Sequence, residues 1–340
     1  MKIQIPLYSF VLVFLLTASP SHAQEDLQWE IVNRVLHGKD KPTITLTTGQ
    51  AIKSAVLKVT RNDKQTETLN FGSIKAGGSK EVTLKAGKGR WEYEGALHLK
   101  YRNGSGGELP VSFDVVVAGP LGMEAPYDRM RLNEGYVEVK LTRDANRCQY
   151  TVWTEGNNPV QGEVEFAGSP AGEWLPVQWS TFTQADVVLK IVLECYDTDG
   201  FSNGLELSPW KIEVPHEDVN FAMGKSAIEG LEYPKVKDAV GQIKTTIRRY
   251  SNVLKVQVFV SGHTDSVGDA GYNKELSEKR ASAIAIAFRK AGIRVPIYFV
   301  GYGEDKQAVD TADETAEPSN RRARYIMAVH PPENARWKKL

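Results

Sequence analysis

Two different spacings of apolar residues divide the chain. Between residues 24 and 215, apolar and polar side chains alternate with a period of two, as in Val137–Leu141 and Leu97–Tyr101, which is typical of half-buried β-strands. Clusters of turn-forming residues, such as Asn103–Gly107, separate the alternating segments. Many short strands at regular spacing predict an all-β region built as immunoglobulin-like β-sandwiches.

A weak internal repeat predicts two β-sandwiches, over residues 24–119 and 120–215. The segment Leu57–Asn62 is similar to Val139–Asp144, and each half has about the length of one immunoglobulin-like domain of ~100 residues. Alternating Lys and Val is common in β proteins, so one large sandwich over the whole region fits the same pattern.

After Pro215 the apolar spacing becomes helical. A first helix is predicted because apolar residues recur on one face at Val236, Val240, Ile243, Ile247 and Tyr250. A second helix is predicted from about Asn273 to Ala291, with Gly292 as its C-terminal cap. Short strands are predicted at Val256–Val260, Ile297–Val300 and Arg324–Val329. This order predicts an α/β-sandwich domain over residues 216–332, with its helices on one face of the sheet, followed by a tail over 333–340.

The first 23 residues have the pattern of a secretory signal peptide. Lys2 supplies a positive start, Leu7–Leu16 is a mostly apolar run, and residues 21–23 end in a small-x-small cleavage pattern. The apolar run spans only about half of a ~30 Å hydrocarbon core, so a membrane-spanning anchor is not expected. No cysteine lies near the cleavage pattern, so no lipid anchor is expected there. These features predict export of a chain without a transmembrane segment.

Charge and composition argue against several functional classes. Lys and Arg total 42 and Asp and Glu total 42, so the formal net charge is zero and gives no general attraction to nucleic acid. The histidines are scattered and no cluster has metal-ligand spacing. No nucleophile elbow or activated thiol is recognisable. We therefore expect no enzymatic activity, catalytic residue, metal or cofactor.

The two cysteines, Cys148 and Cys195, lie in phase with apolar neighbours on predicted strands. Export would place them in an oxidising compartment, where disulfides persist. A bridge would stabilise the chain by roughly 4 kcal/mol in the chain-entropy model. The alternative is a pair of buried free thiols.

One loop and one helix face carry the candidate binding chemistry. Asp265 follows a predicted strand, whereas Asn273, Ser277 and Arg280 lie at i, i+4 and i+7 and share a face of the second helix. A carboxylate and a guanidinium on one rim suit a ligand that carries an ammonium and a carboxylate on one carbon. The alternative is that Asp265 caps a turn and Arg280 is a solvated helix charge.

Five motifs in order then resemble one known family. They are Asn220–Ser226, Gly262–Asp265, Asn-x-x-Leu-Ser-x-x-Arg-Ala over Asn273–Ala281, Gly301–Glu304 and Asn320–Arg322. Together they resemble the OmpA-like domain of bacterial cell envelopes, over about 110 residues. The acidic, Ala-rich segment Val309–Pro318 departs from the pattern.

The resemblance implies non-covalent binding of peptidoglycan through the diaminopimelate of its stem peptide. Asp265 and Arg280 would hold the amino and carboxylate groups of diaminopimelate. The residues implied to line the pocket are Thr264, Asn273, Leu276 and Arg322.

This binding would anchor the β-sandwiches in the periplasm and link the wall to the outer envelope, and the sequence leaves open whether the protein contacts the outer membrane. The sandwiches would bind an envelope protein that the sequence does not identify. The alternative is a periplasmic scaffold of a secretion or adhesion complex whose OmpA-like domain does not bind the wall.

Overall fold

The structure is a computed structural model that describes residues 11–14, 27–155, 158–179, 187–219, 221–222, 224–332 and 335–340. Most of the predicted signal peptide lies outside these residues. Of that segment, Val11–Phe14 forms β1, which pairs antiparallel with β2 (Leu27–Val32). Within the described part of the chain, no helix is long and apolar enough to cross a membrane.

Two sheets enclose the apolar core of the first β region. Its further strands are β3 (Arg34–Leu36), β4 (Thr43–Thr48), β5 (Ile52–Arg61), β6 (Thr66–Ile74), β7 (Gly78–Thr83), β8 (Gly89–Tyr101) and β9 (Gly106–Ala118). The strand orders are β1-β2-β4-β7 and β3-β9-β8-β5-β6. Alternate residues point inward, so that Ile44 of one sheet and Leu57 and Leu97 of the other belong to one buried cluster.

A second pair of sheets has its own core. Its strands are β10 (Met123–Glu124), β11 (Met130–Arg131), β12 (Tyr136–Leu141), β13 (Ala145–Thr154), β14 (Val160–Ser169), β15 (Leu175–Gln178), β16 (Val188–Asp197) and β17 (Ser202–Leu207). One sheet has the order β10-β12-β11, with β15 paired to β12, and the other has the order β14-β13-β16-β17. The mostly β character is confirmed. The immunoglobulin-like topology and the division at residue 119 stay predictions.

The predicted disulfide is present. Cys148 and Cys195 are bonded and face each other across the directly paired strands β13 and β16, with their Cα atoms 4.0 Å apart. Both side chains are fully buried in the second core. The bridge therefore joins two neighbours within one sheet.

The C-terminal domain is a five-stranded sheet with two helices. Its elements are β18 (Lys211–Glu213), α1 (Tyr233–Tyr250), β19 (Gln257–His263), α2 (Ala270–Lys290), β20 (Ile297–Gly303), β21 (Ala323–Ala328) and β22 (Lys338–Lys339). The strand order is β18-β21-β19-β20-β22, in which β19 and β20 are parallel. The predicted helices and central strands are thus confirmed, and the segment predicted as a tail contributes the edge strand β22.

Side-chain alternation gives this sheet two distinct faces. Val258 and Val260 of β19 are buried in the same cluster as Ile243 of α1 and Ile284 of α2. The intervening Phe259 lies on the opposite face, where its ring contacts those of Tyr298 and Trp337. Both helices therefore cover one face, and the C-terminal segment covers part of the other.

The first strand of this sheet differs from the prediction. Residues 211–213 were expected to end the second sandwich, but β18 pairs antiparallel with β21. The preceding Trp210 explains this placement, because it is buried in the C-terminal core with its ring 4.9 Å from that of Tyr250. β18 thus occupies the sheet edge beside β21. The motif Asn220–Ser226 resembles the strand and turn that open the OmpA-like domain, but its described residues 221–222 and 224–226 form no strand, and Asn220 and Met223 lie outside the described residues.

Candidate functional site

The loop that follows β19 is fixed by both neighbouring strands. The backbone N–H of His263 donates to the carbonyl of Arg322 at 2.9 Å, and that of Thr264 donates to the carbonyl of Gly303 at 2.9 Å. Thr264 and Asp265 therefore leave the sheet in a defined direction. Both are buried.

Helix α2 packs unusually close to the two parallel strands because glycines face it. A Cβ atom at Gly262 would lie 2.2 Å from the carbonyl oxygen of Ser277, and one at Gly301 would lie 2.3 Å from the backbone nitrogen of Glu278. Larger residues at either glycine would push the helix away from the sheet. The close approach brings the Asn273–Arg280 face of α2 against the loop that carries Asp265.

The start of α2 lies earlier in the chain than predicted. The side chain of Asp269 accepts a hydrogen bond from the backbone N–H of Tyr272 at 2.8 Å. This N-terminal cap satisfies a backbone donor that the first turn leaves unpaired, so the helix begins at Ala270.

Asn273 and Ser277 hold the loop and helix together. The Asn273 amide donates to the carbonyl of Val267 at 3.1 Å and to the carboxylate of Glu304 at 2.9 Å. The Ser277 hydroxyl accepts from the backbone N–H of Gly303 at 2.8 Å. Asn273 is only 3% exposed, so its observed role is to position the Asp265 loop.

The two predicted charges lie close enough to interact. Arg280 and Asp265 are both buried, and the carboxylate acts to raise the pKa of the guanidinium. Burial has the larger effect and lowers the pKa of Arg280 overall. Two contacts fix the Arg280 side chain. Its Nε donates to the carbonyl of Lys225 at 3.1 Å, and its guanidinium carbon lies 5.1 Å from the centre of the Phe221 ring.

A further arginine, which the sequence analysis did not select, contacts Asp265. Nη1 of Arg321 lies 2.7 Å from Oδ2 of Asp265. The predicted lining residue Arg322 is not brought to this pocket, because successive residues of an extended chain point to opposite sides. Its side chain lies near His263, on the sheet face that the helices do not cover. The sequence signal for Arg321 was the pair of consecutive arginines, because only one of two successive side chains could face Asp265.

Thr264 directly precedes Asp265 in the loop, and Leu276 lies one turn before Arg280 on α2. The Thr264 side chain is 2% exposed, and its hydroxyl has no hydrogen-bond partner. A buried hydroxyl without a partner costs about 1–3 kcal/mol, so this group is poised for an external partner. Leu276 lines a neighbouring cavity of about 260 Å³ together with Tyr272 and the segment 224–227.

The acidic segment Val309–Pro318 forms the outer wall. The hydroxyl of Ser266 donates to the carbonyl of Ala312 at 2.9 Å, and the backbone N–H of Gly268 donates to the Glu314 carboxylate at 3.2 Å. Asn320 is fully buried and fixes the start of the segment, because its side-chain oxygen accepts from the backbone N–H groups of Ala308 and Val309 at 2.7 and 3.0 Å.

The β19 loop and α2 thus supply an anionic group, a cationic group, an unpartnered hydroxyl and an apolar side chain. Such a set can bind a zwitterion through charge-assisted hydrogen bonds. Among the described residues, no group of three or more His, Cys, Asp or Glu side chains is arranged to hold a metal ion.

Comparison with known proteins matches residues 220–321 to the OmpA family. The outer-membrane lipoprotein YfiB of Pseudomonas aeruginosa is 32% identical over 117 residues, which are 34% of this chain and 70% of that protein. The peptidoglycan-associated lipoprotein of Legionella pneumophila is 32% identical over 116 residues, which are 34% of this chain and 62% of that protein. Among solved structures, the peptidoglycan-associated lipoprotein from Burkholderia pseudomallei has 22% identity and a TM-score of 0.27, covering 32% of this chain and 88% of that one.

The matched residues 220–321 contain α1, β19, α2, β20 and the loop that carries Asp265, and they leave both β regions and β21 outside. Through its C-terminal domain, the chain belongs to the OmpA family.

Proposed function

We propose that the C-terminal domain binds peptidoglycan non-covalently by gripping the diaminopimelate side chain of the stem peptide. Asp265 binds the ammonium group and Arg280 binds the carboxylate on the same carbon. Thr264 supplies a hydroxyl, Leu276 contacts the aliphatic part, and Asn273 positions the loop.

The observation that carries this proposal is the pair of buried, interacting charges Asp265 and Arg280, with the unpartnered hydroxyl of Thr264 on the residue before Asp265. Asp265 and Arg280 are 7% and 8% exposed and come from different elements. Burying opposite charges together costs desolvation energy, and a buried hydroxyl left without a partner adds to that cost. A polar ligand would give the Thr264 hydroxyl a hydrogen bond that the free protein lacks, and at Asp265 it would replace or share the Arg321 partner.

The relatives support the same assignment. One of the similar proteins is named a peptidoglycan-associated lipoprotein, and another is named an outer-membrane lipoprotein. These names describe proteins of the cell envelope, and we propose the same location for this chain. With the predicted signal peptide, we place the protein in the periplasm.

Attachment would depend on repetition of the ligand. Each charge-assisted hydrogen bond contributes about 1.5–3 kcal/mol, so one pocket holds one stem peptide weakly. A sacculus presents many stem peptides, and rebinding lengthens the attachment. The wall-bound domain would thereby anchor the two β regions, which remain available for an envelope protein partner.

Co-sedimentation with purified diaminopimelate-type sacculi tests the proposal. The wild-type protein is compared with the Asp265→Ala and Arg280→Ala variants, after circular dichroism has shown that each is folded. Lys290→Ala is the matched control, because Lys290 is an exposed lysine in the last turn of α2 and lies outside the cavity that Leu276 lines.

We expect the wild type and Lys290→Ala to pellet with the sacculi, and the other two variants to stay in solution. A folded wild type that stays in solution, or pocket variants that pellet as well as the wild type, would reject the proposed clamp. The C-terminal domain would then be better explained as a protein-binding scaffold.

A further inference from the structure

The sheet face that the helices leave uncovered holds a second cavity, of about 390 Å³. Side-chain alternation places Ser261, His263 and Arg322 on this face, opposite the buried core. Tyr302 and Trp337 form aromatic walls of the cavity. It is therefore separate from the Asp265 pocket, which lies between the β19 loop and α2.

Arg322 presents an unused donor in this cavity. Its Nη2 donates to the carbonyl of Lys306 at 3.2 Å, whereas its Nη1 is buried and has no hydrogen-bond partner. A buried charged donor without an acceptor is costly. The geometry of this group therefore calls for an acceptor from outside the protein.

His263 contributes polarity without a positive charge. Its Nδ1 lies 3.0 Å from the carbonyl of Lys306, which can only accept, so Nδ1 carries the proton. Nε2 then accepts from the Ser261 hydroxyl at 3.2 Å. Burial, followed by the charge of Arg322, lowers the pKa of His263 to about 4, and the ring is neutral at pH 7.

The charges around the cavity balance, which leaves the unpartnered Nη1 of Arg322 as an unsatisfied donor. Arg324 is bound by the Glu213 carboxylate at 2.7 Å, and Asp305 is bound by Lys274 at 2.7 Å. With these partners and Asp218 included, whose charge also acts on Arg322, the cations and carboxylates are equal in number: Arg322, Arg324, Lys306 and Lys274 against Glu213, Asp305, Asp310 and Asp218.

We propose that this cavity binds a small oxyanion, a carboxylate or phosphate group, with Arg322 as its principal donor. The planar guanidinium matches the geometry of either group. The rings of Tyr302 and Trp337 would contact the remainder of an organic ligand. This site is independent of the peptidoglycan pocket and does not rest on the function proposed for it.

Amide and side-chain NMR of the purified protein tests the proposal. The protein is titrated with inorganic phosphate and, separately, with glucuronate as a carboxylate probe, and sodium chloride at matched ionic strength is the control. The variants are Arg322→Gln, Arg322→Lys, which keeps the charge but loses the fork, and Arg280→Ala in the other pocket.

We expect saturable shifts at residues 261–263, 302–307 and 322–324 for at least one probe, and the stronger probe identifies the group that the cavity prefers. Arg322→Gln should weaken binding about tenfold or more, and Arg322→Lys should weaken it less. Arg280→Ala should leave it unchanged. If neither probe gives saturable shifts there, or if both Arg322 variants bind like the wild type, the proposal is wrong.

Discussion

Arg321 and Asp265 form an ion pair at the entrance to the proposed peptidoglycan pocket. Nη1 of Arg321 lies 2.7 Å from Oδ2 of Asp265, and the arginine side chain is 44% exposed whereas the aspartate side chain is 10% exposed. The buried carboxylate is thus already paired with a cation that can move into solvent. A ligand ammonium must displace Arg321 from Oδ2 or share the carboxylate with it.

This pair predicts that removal of Arg321 strengthens binding. A partly exposed ion pair contributes up to about 1 kcal/mol, so Arg321→Ala should raise the affinity for meso-diaminopimelate up to about fivefold. Isothermal titration calorimetry measures the change. Arg102→Ala, an exposed arginine of the first β region, is the control and should bind like the wild type. Weaker binding by Arg321→Ala would mean that Arg321 itself holds the ligand.

Thr264→Val separates a ligand-binding role from a structural one. The substitution keeps the shape of the side chain and removes a hydroxyl that has no partner in the protein. We expect the melting temperature to stay the same or rise, and binding of meso-diaminopimelate to weaken about fivefold, the effect of one neutral hydrogen bond of ~1 kcal/mol. A lower melting temperature with unchanged binding would show that the hydroxyl serves the fold instead.

The sequence was sufficient to predict the parts of the site that depend on local spacing. Asn273 and Arg280 share a helix face because of the helical repeat, and Asp265 follows a strand whose alternation is plain. The direction of the Arg280 side chain toward the Asp265 loop follows from these two periods. The close approach of α2 was encoded in Gly262 and Gly301, but its extent depends on the packed structure.

Other features depend on contacts between distant parts of the chain. The choice between Arg321 and Arg322 follows from how the extended segment meets β19, where the backbone of His263 binds that of Arg322. The wall formed by residues 309–318 depends on the bond from Ser266 to Ala312. Strand β18 joins the C-terminal sheet because Trp210 packs in its core. No local pattern contains these pairings.

Asn320 should contribute to stability more than to ligand contact. It is fully buried, and its amide also donates to the carbonyl of Val309 at 2.9 Å. Asn320→Ala removes bonds to backbone groups that solvent can partly replace, so the free energy of unfolding should fall by about 1–2 kcal/mol. Urea unfolding measures this change. The exposed Asn62→Ala in the first β region is the control, and an equal effect there would contradict the assigned role.

The disulfide should stabilise the second β region. Replacing Cys148 and Cys195 with alanine removes a bond between residues 47 apart in the sequence and should lower the free energy of unfolding by about 2–4 kcal/mol. Urea unfolding with and without a thiol reductant measures the effect. The reductant should destabilise the wild type and leave the double variant unchanged. A wild type that is insensitive after confirmed reduction would show that packing alone holds β13 and β16.

His263 should make the folded protein sensitive to mild acid. Burial lowers its pKa from 6.5 to about 4, so between these values the unfolded chain binds a proton that the folded protein does not. Stability therefore falls as the pH drops from about 6.5 to about 4, by up to about 3 kcal/mol from this residue. The free energy of unfolding, measured by urea titration at several pH values, should decline less steeply in His263→Gln than in the wild type. Carboxylates titrate in both proteins, so the difference between the two curves isolates His263.

His37→Gln, at an exposed histidine, should follow the wild-type curve. A constant difference between wild type and His263→Gln across this range would show that the His263 ring is not held neutral in the fold.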